Sequence, residues 1–230
     1  MKRKCSLEEI SDGRLYEISD LVTASCNGCK GAASCCHGMG NSIVLDPYDI
    51  YRITDAQNLS FEELLGHQIE LNIVDGVILP NLKMNGPSGA CAFLSDAGRC
   101  RIHSIRPGIC RIFPLGRYYE NHDFKYFLQT KECHNQSETQ TGVSKWIDTP
   151  DYAKNRKFLI DWHYLLNDME NIIMQIRDEV TRKNITMYLL QSFYVKKFET
   201  GVDFYLQFHK RLRGARELVK VKQNETEMRD

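Results

Sequence analysis

The feature that most constrains this chain is the stretch Cys26-Asn-Gly-Cys29-Lys-Gly-Ala-Ala-Ser-Cys35-Cys36, which puts four thiols into eleven residues. Gly28, Gly31, Ala32 and Ala33 stand between them, small residues that let a backbone curl around one point. The two residues between Cys26 and Cys29 close a tight loop that can aim both sulfurs at one metal ion. Fifty-five residues beyond Cys36 a second set begins with Cys91, and Cys100, Cys110 and Cys133 follow. Eight of the nine cysteines thus form two groups of four, and only Cys5 stands apart.

The basic opening Met-Lys-Arg-Lys-Cys-Ser has no apolar stretch behind it, and no apolar run is long enough to span a membrane. A cytoplasmic location without membrane association is expected. A reducing cytosol disfavours structural disulfides, whereas zinc and iron–sulfur centres use thiolates directly, so metal ligation ranks above disulfide pairing. Thirty basic and thirty acidic side chains give a formal charge of zero, which argues against nucleic acid as a partner for the chain as a whole. The charge is uneven, however. Between residues 97 and 119 stand Arg99, Arg101, Arg106, Arg111 and Arg117 and no acid. A centre built from several thiolates is anionic, and fixed cations beside it lower its electrostatic cost and keep the thiols deprotonated. The alternative is a loop of solvated arginines. The basic run from His209 to Lys222 reads by default as a solvated helix face.

Cys-x2-Cys followed by a Cys-Cys pair, then Cys91, then Cys100-Arg-Ile-His103-Ser-Ile-Arg106-Pro107-Gly-Ile-Cys110-Arg111-Ile-Phe113-Pro114 and a later Cys133, resembles the YkgJ-like cysteine-cluster family, a zinc- or iron-chelating domain. The resemblance covers roughly residues 20 to 135. Five residues separate Cys29 from Cys35, a wider first loop than in the commonest form of the motif. The resemblance implies a bound metal or iron–sulfur centre and does not by itself imply an activity. Arg106 and Arg111 occupy motif positions, where they either neutralise thiolate charge or bind an anionic cofactor or substrate group. A related branch, the FliB-type flagellin lysine N-methylases, joins a cysteine-bound iron–sulfur cluster to S-adenosylmethionine chemistry. This chain is similar in its cysteine motif followed by a helical region, but is considerably shorter and shows no methyltransferase glycine motif. Under that alternative it would be an enzyme with a protein substrate; no catalytic residue is identified.

Cys26, Cys29, Cys35, Cys36, Cys91, Cys100, Cys110 and Cys133 supply enough donors for two four-thiolate zinc sites or two [4Fe–4S] clusters, while one centre with spare thiols stays open. Successive residues usually point in different directions. Cys35 and Cys36 are therefore expected not to face one zinc ion together. His103, three residues after Cys100, either ligates or hydrogen-bonds a sulfur, and His37 is a weaker candidate.

The expected fold class is α+β: a small cysteine-rich metal-binding domain of short strands and helices over 1–140, then a C-terminal α-helical hairpin or bundle over 141–230. Residues 1–25 suit short helical pieces broken at Gly13. Ser42-Ile-Val-Leu45 reads as a buried strand, and Asp46-Pro47-Tyr48-Asp49 opens a helix to about Asp55. Ser60 and Glu63 form a capping box for a second short helix. Asp75-Gly76 favours a type I′ turn between strands 69–74 and 77–82. Cys91 and Cys100 should lie on neighbouring strands of a tight hairpin, Pro107 should open a one-turn helix carrying Cys110, and a further hairpin turns at 121–123. Residues 134–148 read as a polar linker. Apolar residues from Phe158 to Ile176 keep a helical period, and further helices are expected over about 184–198 and 202–221.

Overall fold

The computed structural model describes residues 6–24, 34–130 and 140–227. Expectations for Cys5, Cys26, Cys29 and Cys133 lie outside the described residues. In chain order the elements are α1 (Leu7–Ile10), β1 (Leu21–Val22), α2 (Pro47–Gln57), α3 (Phe61–Leu64), β2 (Ile69–Val74), β3 (Val77–Leu82), β4 (Met84–Asn85) and β5 (Ala90–Cys91). Then come α4 (Gly108–Ile112), β6 (Leu115–Glu120), β7 (Asp123–Leu128), β8 (Thr141–Gly142), α5 (Val143–Ile147), α6 (Tyr152–Gln175), α7 (Glu179–Leu190) and α8 (Phe204–Glu227). The strands pair two by two, β1 with β8, β2 with β3, β4 with β5 and β6 with β7, so the fold is α+β with a helical carboxyl-terminal region. No helix among the described residues is long and apolar enough to cross a membrane.

Two compact units result: Met1–Leu45 with Leu82–Pro150, and Asp46–Asn81 with Asp151–Asp230. A single cut after residue 140 does not follow this grouping, because Asp46–Asn81 joins the helices.

In the first unit the β6–β7 hairpin runs in register from Leu115↔Leu128 to Glu120↔Asp123. Asn121 and His122, both at positive φ (50° and 56°), make the two-residue turn whose twist suits a hairpin. Ser11 and Tyr16 form isolated bridges with Gln129 and Tyr126: Tyr16 N donates to Tyr126 O at 2.7 Å and Tyr126 N returns a bond at 2.9 Å. Helical pieces were expected across this segment. Only α1 forms, since these backbone groups find partners on β7 and Leu15 and Leu21 stay exposed. Ser42–Leu45 is likewise no strand. Ile43 and Leu45 are buried, and the Ile43 carbonyl accepts a single bond from Leu82 N. From residue 140 the expected linker is instead β8 and α5, with Val143 and Ile147 buried one turn apart.

In the second unit α2 begins as its sequence dictates. The Asp46 carboxylate accepts from Asp49 N at 2.9 Å, the Asp49 carboxylate accepts from Asp46 N, and Pro47 holds the first turn. Ser60 and Glu63 repeat the device for α3. Asp75 (φ 50°) and Gly76 (φ 82°) form the expected turn between β2 and β3. Helices α6, α7 and α8 bury Phe158, Trp162, Leu165, Leu189 and Phe208, and Phe193, just past α7, is buried with them. The rings pack edge-on or tilted, Phe158 to Phe208 at 4.6 Å and Trp162 to Phe193 at 5.1 Å, the arrangement aromatic quadrupoles prefer. Past α7 the chain widens into one π turn, Gln191–Val195. The Arg211 guanidinium closes it, donating to the carbonyls of Ser192, Lys196 and Lys197 at 2.9, 2.6 and 2.7 Å, while lying 3.6 Å over the Phe198 ring.

Candidate metal centre

Cys35 and Cys36 end a 3₁₀ turn, Ser34–Cys36, and the chain leaves it through His37, which pairs with Ala90 in an antiparallel bridge. Ala90 and Cys91 form β5, paired with β4 in the register Met84↔Cys91, and Ala92 N donates to the Lys83 carbonyl at 2.9 Å. Beyond β5 a turn at Ser95–Gly98 reverses the chain: Gly98 N donates to Ser95 O, Ser95 N to Arg99 O, and Leu94 bridges Cys100. This is the tight reversal expected between Cys91 and Cys100, carried by one bridge in place of two strands. Pro107 precedes α4, which carries Cys110 on its single turn as the sequence leads one to expect.

Four of the described thiols, Cys35, Cys36, Cys91 and Cys100, lie within electrostatic reach of one another. Cys36 donates a hydrogen bond to Cys35, and that bond pulls the Cys35 thiol down to about 7. The same bond, followed by burial and the charges of Cys35, Cys91 and Cys100, drives Cys36 upward. Burial raises Cys91 and Cys100, and both also feel Cys35. The 3₁₀ turn brings the sulfurs of Cys35 and Cys36 within hydrogen-bond reach of each other. Cys35, Cys36, Cys91, Cys100 and Cys110 are all outside disulfides. Among the described residues no group of three or more His, Cys, Asp or Glu side chains is arranged to hold a metal ion by itself. Cys26, Cys29 and Cys133 belong to the expected ligand set and lie outside the described residues.

Cations frame these thiols. Arg106 lowers the energy of thiolates at Cys35 and Cys100, and its buried Nε has no hydrogen-bond partner among the described residues. Its Nη1 donates to Nε2 of His103, which must accept and is therefore unprotonated there. Burial, then Arg106, Arg111 and Arg99, hold His103 below the ordinary imidazole value, so the ring is neutral at pH 7. Arg111 has a different task. It donates to the carbonyls of Ser104 at 2.6 Å and Asp148 at 3.2 Å, tying α4 to the 3₁₀ turn His103–Ile105 and to the end of α5. Trp146 Nε1 adds a bond to the Ile112 carbonyl at 3.1 Å. Sequence reasoning passed over Trp146 and Asp148 by reading 134–148 as a linker. The signal was the pair Val143 and Ile147, four residues apart on the buried side of α5.

The chemistry of this donor set fits zinc or iron. Clustered thiols are the soft ligands both accept, and a cation among them offsets the mutual repulsion of their thiolates. A family model described as CxxCxxCC, "Putative zinc- or iron-chelating domain", matches residues 25–141. No curated protein and no solved structure matches the chain. The matched span takes in all eight clustered cysteines and more than half the sequence, and the chain belongs to the CxxCxxCC family of zinc- or iron-chelating domains.

Proposed function

We propose that this is a cytoplasmic metalloprotein whose cysteine-bearing unit binds zinc or an iron–sulfur centre through Cys35, Cys36, Cys91, Cys100 and Cys110 together with Cys26, Cys29 and Cys133. One observation carries the reading: Cys35 and Cys36 from the early group and Cys91 and Cys100 from the late group lie close enough to feel one another's charge, with Arg106 beside them. A fully thiolate-bound zinc ion would stabilise the fold and leave no open position for a substrate, whereas an iron–sulfur centre would supply electron transfer. The protein's own residues have definable tasks in either case. The 3₁₀ turn presents two thiols side by side, β5 and the Ser95–Gly98 reversal hold Cys91 and Cys100, and Arg106 offsets thiolate charge. Arg111 holds the frame of α4 in position.

The test is metal analysis and visible absorption of protein purified without oxygen. Bound zinc or iron is expected, with a brown charge-transfer absorption only for an iron–sulfur centre. Cys29→Ser, Cys91→Ser and Cys110→Ser should each lose metal, and Cys5→Ser should retain it. Metal content unchanged in the first three variants overturns the assignment. Methyl transfer from labelled S-adenosylmethionine to protein lysines by the iron-loaded protein would move the reading to the FliB type; a colourless protein with stoichiometric zinc would exclude it.

A further inference from the structure

One thiol from each group, Cys36 and Cys91, flanks the point where two loop backbones cross. His37 pairs with Ala90, and Gly38 N donates to the Gly89 carbonyl at 2.9 Å. In an antiparallel pair the residue before one partner faces the residue after the other, so this isolated bridge sets Gly38 opposite Gly89 and brings Cys36, at the end of its 3₁₀ turn, beside Cys91. Directly opposed residues carry Cβ atoms about 5 Å apart. From that separation two sulfurs reach a common ion at metal–sulfur distances of about 2.3 Å.

The crossing depends on there being no side chain at Gly89. A Cβ built there would lie 3.2 Å from Gly38 N and 3.3 Å from Gly38 Cα, and neither backbone atom can rotate aside as a side-chain tip would. Gly89 also sits at φ 58°, in the left-handed region. Gly86, three residues earlier in the same loop, has a comparable φ of 65°, but a Cβ there meets nothing within 4 Å. The two glycines therefore share backbone strain and differ in contact.

We propose that Gly89 is a positioning residue of the metal centre, whose bare Cα lets the Gly38 backbone close against it and so sets the gap between Cys36 and Cys91. The inference rests on the metal-binding reading of these thiols. A side chain at residue 89 pushes the His37 segment away from β5 and separates Cys36 from Cys91, while leaving each of them intact as a donor.

The experiment compares Gly89→Ala with Gly86→Ala in the full chain. Cobalt(II) is added to reduced, metal-free protein, and affinity is read by competition with a chelator while the thiolate-to-metal band reports the ligand geometry. Gly89→Ala is expected to weaken cobalt binding by about tenfold or more, the cost usually met when support around a metal ligand is lost, and to shift the band. Gly86→Ala should bind like the unsubstituted protein, and the two variants should melt at similar temperatures. Equal affinity in the two variants overturns the positioning role and leaves the metal reading standing; no cobalt or zinc binding by the unsubstituted chain overturns both. A second measurement does not depend on the variant folding. Dibromobimane, a short thiol cross-linker, should join Cys36 to Cys91 in the unsubstituted metal-free protein, as seen by peptide mapping. Failure to find that cross-link overturns the register on which the proposal stands.

Discussion

Asp161 gathers more charge around it than its position in the middle of α6 suggests. Its carboxylate, 11% exposed, accepts from Lys157 Nζ at 2.7 Å and from Arg216 Nη2 at 2.8 Å, and lies 3.6 Å from His209 Nδ1. Lys157 is 65% exposed, so its pairing contributes little; the bond from Arg216 links α6 to α8. Asp161→Ala should lower stability by about 1–3 kcal/mol in denaturant unfolding, because it strips a partly desolvated guanidinium of its acceptor. Lys157→Ala should change it by less than about 1 kcal/mol. His209 looks like a third cation for this carboxylate, yet burial and Lys157, with help from Arg216 and Arg213, outweigh Asp161 and hold the imidazole below its usual value. The folded protein therefore takes up this proton less readily than the unfolded chain. The stability that follows is complete above about pH 6.5 and declines as the pH falls from there through the lowered folded value. Melting temperature should drop between pH 7 and pH 5, and His209→Gln should flatten that slope. None of this is legible in the sequence: Lys157 and Asp161 stand at helical spacing, but Arg216 and His209 reach Asp161 only because α8 packs on α6.

Elements formed by local turn and cap chemistry are the ones the sequence discloses. Asp46-Pro47, Ser60 with Glu63, and Asp75-Gly76 each fix their own neighbours through short-range hydrogen bonds or allowed φ values, and each appears where expected. Apolar spacing without such chemistry misleads. Ile18 and Leu21 fit a helical interval, but their backbones pair with Ser144 and Gly142, and Ser42–Leu45 buries Ile43 and Leu45 without forming a strand. Helix α5 went unseen because its polar flanks outweighed Val143, Trp146 and Ile147. Two elements make sharp tests. Arg211 alone serves three carbonyls after the π turn, so Arg211→Ala should cost about 2–3 kcal/mol in denaturant unfolding, with the loss of more than one charged hydrogen bond. In the β6–β7 hairpin Gly116 faces Phe127 directly, and a Cβ at Gly116 would overlap that ring. Gly116→Ala should therefore destabilise the hairpin by about 1–3 kcal/mol, and Phe127→Leu in the same chain should recover part of the loss.

At the scale of the whole chain, the thiols were legible as a set, because their spacing and the arginines between them are properties of a contiguous sequence. Which segments share a compact unit was not, since nothing local marks that Asp46–Asn81 leaves the cysteine-bearing unit to pack among helices far ahead in the chain. Ile78 N donating to Thr186 Oγ1 at 2.7 Å is one such distant attachment. Removal of the metal should weaken the unit that holds the thiols much more than the aromatic helical unit, giving two separated transitions on heating in the presence of a strong chelator. The chain holds only two tryptophans, Trp146 on α5 in one unit and Trp162, almost fully buried, on α6 in the other. Nature has thus put one intrinsic fluorophore in each half, and Trp162→Phe or Trp146→Phe leaves a single emitter whose colour change on melting tells which half has come apart.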